Sequence, residues 1–276
     1  MSIIPEIATV IEKRSLDKTH SLFRIVFDSE KKRDSFTFRP GQFIILSIFG
    51  VGEAPISITS SPDEKGFIDL CVRKIGRLTT ALHELEENSK VGIRGPYGNG
   101  YPVENMEGGN LLIVAGGLGI APLRSMLRYA LWHRDKFKQV SIAYGAKDVE
   151  SVLFRGEMYS IAERKDIKCL LSVDRVEEGT LWKGHHVGRV TDLLDMIDMP
   201  LKDTSVAVCG PPIFYKFVLR KLLDLGYSKG RIYMSLERRM ECGLGKCGHC
   251  VVGHKYTCIE GPIFTYWDAI NLPEIF

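Results

Sequence analysis

The sequence lacks a hydrophobic run long enough to cross a membrane. A membrane helix needs about 20 predominantly apolar residues, whereas the longest uncharged stretch, Gly108–Leu123, is shorter and rich in glycine. The N-terminal segment has Glu6 among its apolar residues and no basic leader followed by a cleavage-like site, so a secretory signal is not expected. These absences predict a cytoplasmic protein with no direct membrane span.

A large excess of charge of one sign is also missing. The 37 lysines and arginines nearly balance the 34 aspartates and glutamates, and the basic residues are spread along the chain. Nucleic-acid-binding proteins usually concentrate lysine and arginine in one block or on one face. The sequence therefore predicts no nucleic-acid partner.

The seven cysteines do not form a disulfide framework, because their number is odd and their distribution is uneven. Cys71, Cys169 and Cys209 stand alone in hydrophobic surroundings, while the other four lie between Cys242 and Cys258. In a reducing compartment such a group of thiols more often binds metal.

The 276 residues fall into three regions that differ in their pattern of apolar, polar, glycine and cysteine residues. Residues 1–102 contain short apolar strands separated by polar or glycine and proline turns, which predicts a small antiparallel β-barrel. Residues 103–233 alternate strands with amphipathic helices, which predicts an α/β domain with a parallel sheet. Residues 234–276 are rich in glycine and cysteine and too few to fold by apolar burial alone, so a metal is expected to stabilise them.

The four clustered cysteines, Cys242, Cys247, Cys250 and Cys258, have the spacing C-x4-C-x2-C-x7-C. A C-x4-C-x2-C run followed by a later cysteine is typical of a plant-type [2Fe–2S] cluster. Structural zinc is the alternative, but zinc ribbons usually have two Cys-x-x-Cys knuckles and this chain has one. The spacing therefore favours iron–sulfur over zinc.

A glycine turn follows the apolar strand LLIVA and leads into a helix. Gly116, Gly117 and Gly119 would let phosphates approach the amides at the helix N-terminus, whose dipole favours anions. The alternative is that the glycines only allow close packing, since the string is not the usual GxGxxG.

A second candidate nucleotide motif is CGPP, Cys209–Pro212, which follows a later strand at its carboxyl end. Open α/β sheets bind ligands at that end of their strands. The alternative for this motif is a buried cysteine in a tight turn.

In this order, the motifs resemble the ferredoxin-NADP reductase superfamily. The cysteine tail is similar to the branch with the dihydroorotate dehydrogenase electron-transfer subunit, the sulfhydrogenase gamma subunits, the corresponding subunit of anaerobic sulfite reductase and the small subunit of NADH-dependent ferredoxin:NADP oxidoreductase. The resemblance spans nearly the whole chain and rests on seven strings: RPGQF (Arg39–Phe43), APISI (Ala54–Ile58), VRKIGRLTT (Val72–Thr80), GPYG (Gly95–Gly98), GGLGIAP (Gly116–Pro122), CGPP and the four-cysteine tail.

The resemblance implies that the barrel domain binds a flavin, which we expect to be FAD, with FMN as the open alternative. The residues it implies are Pro55, Ile56, Ser57, Ile58, Val72, Arg73, Gly76, Thr79 and Thr80. The helix that begins near Thr79 would offer free amides to the pyrophosphate; the alternative for Thr79 and Thr80 is helix capping. Many relatives have arginine where this chain has Ala54, which leaves Arg73, Lys74 and Arg77 as candidate substitutes.

The resemblance also implies that the second domain binds NAD(P)H and the third a [2Fe–2S] cluster. The implied NAD(P)-binding residues are Gly116, Gly117, Gly119, Ile120, Ala121, Pro122, Asp174, Arg175, Cys209, Gly210, Pro211 and Pro212. Asp174 would favour NADH through the ribose 2′-hydroxyl, whereas Arg175 would favour the 2′-phosphate of NADPH, and both also fit a solvated loop.

Together these features predict an electron-transfer subunit that moves electrons between NAD(P)H, FAD and a [2Fe–2S] cluster. No segment suggests a terminal substrate site, so we expect a partner subunit with the terminal catalyst, such as a hydrogenase, sulfite reductase, dehydrogenase or bifurcating large subunit. The alternatives are a stand-alone reductase that serves a diffusible acceptor and a zinc-tailed protein that senses NAD(P)H. We assign no acid–base catalytic residue.

Overall fold

The computed structural model of the protein describes residues 3–272, which divide into two compact units. The first contains the residues up to Tyr101 together with Arg124–Tyr129 and Leu236–Ile263. The second contains Pro102–Leu123, Ala130–Ser235 and the described residues from Phe264 onward. The three domain ranges expected from the sequence stay predictions.

Six antiparallel strands form the sheet of the first unit, in the order β4-β3-β6-β1-β2-β5. A bridge between Ile58 and Leu70 connects the end of one edge strand to the other edge, which turns the sheet into a barrel. The elements are β1 (Glu6–Ser15), β2 (His20–Phe27), α1 (Glu30–Ser35), β3 (Phe43–Ile48), β4 (Gly52–Ser57), β5 (Ile68–Arg73), α2 (Arg77–Glu84) and β6 (Lys90–Tyr97).

Strand β3 is buried on both faces, which explains its continuous apolar sequence FIILSI. Because side chains alternate along a strand, Ile44 and Leu46 enter the barrel core while Phe43 and Ile45 face the opposite way. The second pair packs with Tyr97 and with residues of the cysteine loop. Alternate side chains of β3 therefore contribute to two separate hydrophobic cores.

A seven-stranded sheet, in the order β10-β9-β8-β7-β11-β12-β15, contains the strands of the second unit. The pairs from β10 to β12 are parallel, as the alternation of strands and helices predicts. The remaining elements in chain order are α3 (Val103–Met106), β7 (Asn110–Gly116), α4 (Ile120–Trp132), β8 (Val140–Ala146), α5 (Arg155–Ala162), β9 (Lys168–Val173), β10 (His186–Val187), α6 (Val190–Asp195), β11 (Thr204–Cys209), α7 (Pro212–Asp224), β12 (Ile232–Ser235), β13 (Val251–Val252), β14 (Lys255–Tyr256), α8 (Thr257–Glu260), β15 (Ile263–Thr265) and α9 (Tyr266–Ala269), with short 3-10 turns at Gly117–Gly119, Arg134–Lys136 and Lys229–Arg231.

The chain order reverses between β7 and β11, since β8 and β9 extend the sheet to one side and β11 and β12 to the other. Ligands of open α/β sheets bind beyond the carboxyl ends of the strands at such a switch point. Gly116 and Cys209 are the last residues of β7 and β11, so the topology puts both predicted nucleotide motifs there. No described helix is long and apolar enough to cross a membrane.

A buried ionic group anchors part of α4 within the first unit. Asp69, fully buried on β5, accepts two hydrogen bonds from the Arg24 guanidinium, at 2.8 and 3.1 Å. The Arg124 guanidinium of α4 lies 3.7 Å from the same carboxylate and donates to the Thr59 carbonyl. Two cations therefore compensate one buried anion.

Candidate functional site

The glycine turn after β7 forms the entrance to α4. Gly116 ends the strand, Gly117–Gly119 make a 3-10 turn, and Ile120, Ala121 and Pro122 start the helix. Gly117 has a left-handed φ of +53°, and a Cβ added there would have no neighbour within 4 Å. Its backbone is therefore open to a ligand.

The neighbouring glycines are required for packing against the second motif. A Cβ on Gly119 would collide with the Cys209 carbonyl, and one on Gly116 would lie 2.5 Å from the Phe214 ring. Phe214 also covers Gly210. The structure thus brings the two nucleotide motifs into contact and explains these glycines by close approach of backbone.

The backbone carbonyl of Cys209, and not its thiol, lies against Gly119 of the glycine turn. The Cys209 thiol is buried and donates to the Ser235 carbonyl at 3.7 Å, and that carbonyl also accepts from the Tyr215 hydroxyl at 2.5 Å. Pro211 caps α7 and Pro212 is its first residue, both exposed. The motif therefore shapes the end of β11 and the start of α7.

Asp174 and Arg175 follow the carboxyl end of β9 and are both exposed. The Arg175 guanidinium lies 3.9 Å from the Asp148 carboxylate. The Ser151 hydroxyl, with a smaller effect of Arg175, lowers the pKa of Asp148. At this separation and exposure the ion pair with Arg175 is weak, and the contact of Arg175 with a 2′-phosphate stays a prediction.

The predicted flavin residues come together from three elements. Pro55, Ile56 and Ser57 lie on β4, Val72 and Arg73 end β5, and Gly76 precedes α2, while α2 contacts β3 and β4 and β4 contacts β5. The β4 residues Pro55–Ser57 are only half-buried, and Ile58 is fully buried. The barrel therefore has a partly open face at β4.

The two threonines of α2 differ in their surroundings. The Thr79 hydroxyl accepts from the amides of Ile75 and Gly76, at 3.0 and 2.9 Å, and so fixes the start of α2. The Thr79 hydroxyl therefore has a capping role, and its contact with a flavin stays a prediction. Thr80 is half-buried, and its backbone amide donates to the Gly76 carbonyl at 2.8 Å.

Three cations surround the start of α2. Arg73, Lys74 and Arg77 are exposed, and Arg77 donates to the Gly50 carbonyl at 3.5 Å. Their charge adds to the positive end of the helix dipole, which favours an anion such as a pyrophosphate. This electrostatic arrangement fits the flavin diphosphate that the resemblance implies.

The cysteine loop folds over the outer face of β3. Cys250 and Cys258 are buried with Phe43, Ile45 and Tyr97 in one hydrophobic core. Cys242 is partly exposed and Cys247 is exposed. The loop therefore has a buried side against the barrel and an exposed side.

Backbone amides of the loop point at cysteine sulfurs. The Leu244 amide donates to Cys242 Sγ at 3.3 Å, and the Gly245 amide donates to Cys258 Sγ at 3.2 Å. Such donors stabilise the charge of cluster-bound sulfurs. Four thiols with directed amides fit an iron–sulfur cluster.

The thiols of Cys247 and Cys258 have opposite pKa shifts. Backbone hydrogen bonds, first with His249 and Cys242, and a further bond with the Cys242 side chain lower the pKa of Cys247. Burial and then a hydrogen bond with Cys250 raise the pKa of Cys258 to about 12. Within residues 3–272, no three His, Cys, Asp or Glu side chains are arranged to hold one metal ion. Hydrogen bonds therefore favour the thiolate of Cys247, whereas burial disfavours that of Cys258.

Two histidines lie within the cysteine loop, and one arginine of β6 contacts it. His249 and His254 are both exposed, as four-thiol ligation leads one to expect, and His249 lies 3.4 Å from the Glu241 carboxylate. Sequence analysis missed Arg94, a buried residue of β6 that donates to the Cys242 carbonyl at 3.0 Å. Its only sequence signal is a charge inside the apolar strand VGIRG.

Arg94 keeps its positive charge although it is buried. Burial alone would lower the pKa of Arg94, but the hydrogen bond and charge of Glu53 raise it. Its Nε is buried and has no hydrogen-bond partner among the residues that the structure describes. A buried cation with an unused donor thus lies beside the first cysteine of the loop.

Three protein-family models match successive parts of the chain. The oxidoreductase FAD-binding domain matches residues 8–101 and the oxidoreductase NAD-binding domain matches residues 113–220. The iron–sulfur cluster binding domain of dihydroorotate dehydrogenase B matches residues 237–269. These matches confirm the predicted fold class of β-barrel, α/β sheet and small iron–sulfur region.

Known relatives align with most of the chain. Sulfhydrogenase 2 subunit gamma of Pyrococcus furiosus is 45% identical over 277 residues, or 96% of each chain. A probable dihydroorotate dehydrogenase B (NAD(+)) electron transfer subunit of the same organism is 32% identical over 86% of this chain and 84% of its own. The chain belongs to the ferredoxin-NADP reductase superfamily.

Within that superfamily, a solved structure of NADH-dependent reduced ferredoxin-NADP oxidoreductase, from work on flavin-based electron bifurcation, superposes with a TM-score of 0.73. It is 25% identical, and the match covers 97% of this chain and 90% of the other. This chain is itself a flavin-dependent NAD(P)H oxidoreductase that transfers electrons. It has FAD-, NAD- and iron–sulfur-binding domains, as predicted. The individual site residues stay predictions.

Proposed function

We propose that this chain is the electron-transfer subunit of a cytoplasmic multi-subunit oxidoreductase, in which a partner subunit of hydrogenase type carries the terminal catalyst. The observation that carries the proposal is the 45% identity, over 96% of the chain, to a protein named sulfhydrogenase 2 subunit gamma. Sulfhydrogenase 1 subunit gamma of the same organism is also 45% identical. The dihydroorotate dehydrogenase subunits are more distant, at about a third identical, and so support a dehydrogenase partner less strongly.

The chemistry comes from bound groups, and the chain orients them. A bound flavin would supply the conversion between the two electrons of a hydride from reduced nicotinamide and the single electrons that an iron–sulfur cluster carries. Gly117 and the first amides of α4 hold the dinucleotide phosphates, and the end of β11 at Cys209 and Gly210 borders the nicotinamide. Both proposed contacts rest on the open backbone of Gly117 and on its proximity to β11.

The proposed cluster is [2Fe–2S]. Cys242, Cys247, Cys250 and Cys258 would supply two thiolates to each of two irons. The amides of Leu244 and Gly245, which donate to the sulfurs of Cys242 and Cys258, would stabilise the charge on those sulfurs. The C-x4-C-x2-C spacing favours this cluster over zinc, because zinc ribbons usually have two Cys-x-x-Cys knuckles.

The flavin is proposed to lie along β4, with its diphosphate at the start of α2. Ala54 offers no charge at the position where many relatives have arginine, so Arg73, Lys74 and Arg77 supply the positive charge instead. Their exposure and their position around Gly76 support this role. Thr79 acts by fixing the start of α2, and Thr80 is left as the threonine that contacts the flavin.

Purification from the native source under anaerobic conditions tests the proposal. We expect flavin and iron–sulfur absorption bands that bleach with NADH or NADPH, about two irons and two sulfides per chain, and a co-purifying catalytic subunit identified by mass spectrometry. Full acceptor activity of a monomer would favour a stand-alone reductase. Bound zinc without iron or sulfide would refute the electron-transfer role.

A further inference from the structure

Arg94 physically connects the proposed flavin strand to the cluster loop. Its side chain is only 4% exposed. One guanidinium nitrogen, Nη1, donates to the Cys242 carbonyl at 3.0 Å, and the other, Nη2, donates to the Glu53 carboxylate at 2.6 Å and contacts the Glu241 carbonyl at 3.4 Å. Glu53 lies on β4, two residues before Pro55. The Arg94 side chain therefore binds both β4, at Glu53, and the cysteine loop, at Glu241 and Cys242.

The second partner, Glu53, is held in place from the other side. Its carboxylate accepts a hydrogen bond from the Ser47 hydroxyl at 2.6 Å, across the β3–β4 register. Its side chain is 40% exposed, ten times the fraction of Arg94. Water thus screens the anion of this pair much more than the cation.

We propose that Arg94 is a positioning residue for the iron–sulfur cluster and that the charges of Arg94 and Glu53 set the reduction potential of the cluster. The inference rests on the cluster proposed above and extends it to two residues outside the cysteine motif. Arg94 fixes the backbone at Cys242 by its hydrogen bond. Its charge acts on the electron that the cluster receives.

The sign of the effect follows from charge. Reduction adds one electron, and therefore one negative charge, to the cluster. A nearby buried cation stabilises the reduced form and raises the potential, whereas an anion lowers it. Because Arg94 is buried and Glu53 is half-exposed, removing either charge shifts the potential, and the two shifts have opposite signs.

Three substitutions separate charge from positioning. Glu53→Gln removes the anion and keeps the bond from Arg94 to Cys242, so the potential should rise. Arg94→Gln removes the cation and leaves Glu53 unpaired, so the potential should fall. Arg94→Lys keeps the charge without the guanidinium fork and should remain near wild type in potential.

The measurement is a redox titration monitored by electron paramagnetic resonance on the anaerobically purified native assembly, with iron and sulfide analysis of each variant. At the wild-type midpoint, we expect the ratio of reduced to oxidised cluster to change about tenfold for Arg94→Gln, or about 59 mV for a one-electron couple. For Glu53→Gln we expect a smaller change in the opposite direction, because the Glu53 charge is more exposed. The matched controls are Asp28→Asn and Lys90→Gln, which break a 2.7 Å exposed ion pair at the other end of β6. They should not move the potential.

Each outcome decides one part of the inference. Equal potentials in the wild type, Glu53→Gln and Arg94→Gln would overturn it, as would shifts of the same sign. Loss of iron from Arg94→Gln with a normal circular-dichroism spectrum would support positioning, and Glu53→Gln would still decide the effect of charge. Wild-type protein without iron would refute the proposed function instead, so the two failures are distinguishable.

Discussion

Gly243 shows how one residue allows the cluster loop to lie against the barrel. Its φ of +73° is left-handed, and a Cβ there would lie 3.0 Å from Ile45 and Tyr97, both fully or almost fully buried. Left-handed backbone costs an L-residue about 1–2 kcal/mol. Gly248, with a φ of +82°, has the same backbone requirement but open space around it.

We therefore predict that Gly243→Ala loses more cluster than Gly248→Ala. Both variants carry backbone strain, but only the first also displaces the loop from β3 and β6. Iron and sulfide per chain in anaerobic protein are the measurement. Equal iron contents in the two variants would show that contact with the barrel is unimportant for cluster binding.

His83 is a residue whose charge state affects the fold. Its Nε2 donates to the Val72 carbonyl at 3.0 Å, and its ring meets Phe23 edge-on. Burial, opposed by the bond to Val72, lowers the pKa of His83 below its ordinary value. The folded protein therefore favours neutral His83, and this contribution to stability is complete above the unfolded pKa of about 6.5.

As the pH falls below about 6.5 and through the lower folded pKa, this contribution is lost. We predict that the urea midpoint of the wild type falls more between about pH 7.5 and about pH 5 than that of His83→Gln. The exposed His254 provides the control, since His254→Gln should follow the wild type. A His83→Gln profile parallel to the wild type would contradict the prediction.

At the scale of elements, helix α2 has two adjacent threonines with different roles. Thr79 stabilises the start of the helix, and Thr80 is the proposed flavin contact. Thr79 accepts the amides of Ile75 and Gly76 and so stabilises the start of the helix. Thr79 is the third residue of α2, and its hydroxyl satisfies amides at the helix start that would otherwise lack a partner within the helix. The Thr80 backbone amide continues the helix from the Gly76 carbonyl, a bond that does not depend on the side chain. The two hydroxyls can therefore be tested separately.

We predict that Thr79→Val lowers the urea midpoint and the flavin content together, whereas Thr80→Val lowers the flavin content at an unchanged midpoint. Flavin released by denaturation and urea titration of the same preparations give the two quantities. Thr80→Val with full flavin content would remove Thr80 from the site.

At the scale of the whole molecule, the buried carboxylate of Asp69 is compensated by the buried Arg124 and the partly exposed Arg24. Breaking a buried pair by removing one partner typically costs 3–5 kcal/mol, while exposed pairs contribute about 0–1 kcal/mol. Asp69 is fully buried and Arg124 is 4% exposed. The group joins β2 and β5 to α4 within the first unit.

Asp69→Asn should therefore lower the urea midpoint strongly and decrease flavin retention, because the two arginines lose their shared anion. Asp224→Asn, which breaks an exposed pair with Arg220, serves as the control and should leave the midpoint nearly unchanged. A similar small shift in both variants would mean that water compensates the arginines.

The order of the motifs determined the architecture from sequence alone. Alternation of strands and helices, the Gly116–Pro122 turn and the cysteine spacing identified the fold class and the superfamily, because these features depend on local backbone geometry and periodicity. The same local reasoning left the role of Thr79 and of Gly116 and Gly119 open. In the structure, the Thr79 hydroxyl caps the start of α2, and Gly116 and Gly119 pack closely against Phe214 and Cys209; their roles in ligand binding stay predictions.

Only the tertiary structure decided which distant residues meet. Arg94 lies 148 positions from Cys242 and 41 from Glu53 along the chain, and no local pattern links them. The second core on the outer face of β3 arises in the same way, from strand register and the return of the loop to the barrel. Sequence periodicity reports which residues are buried, but the identity of their neighbours depends on how strands pair across long separations.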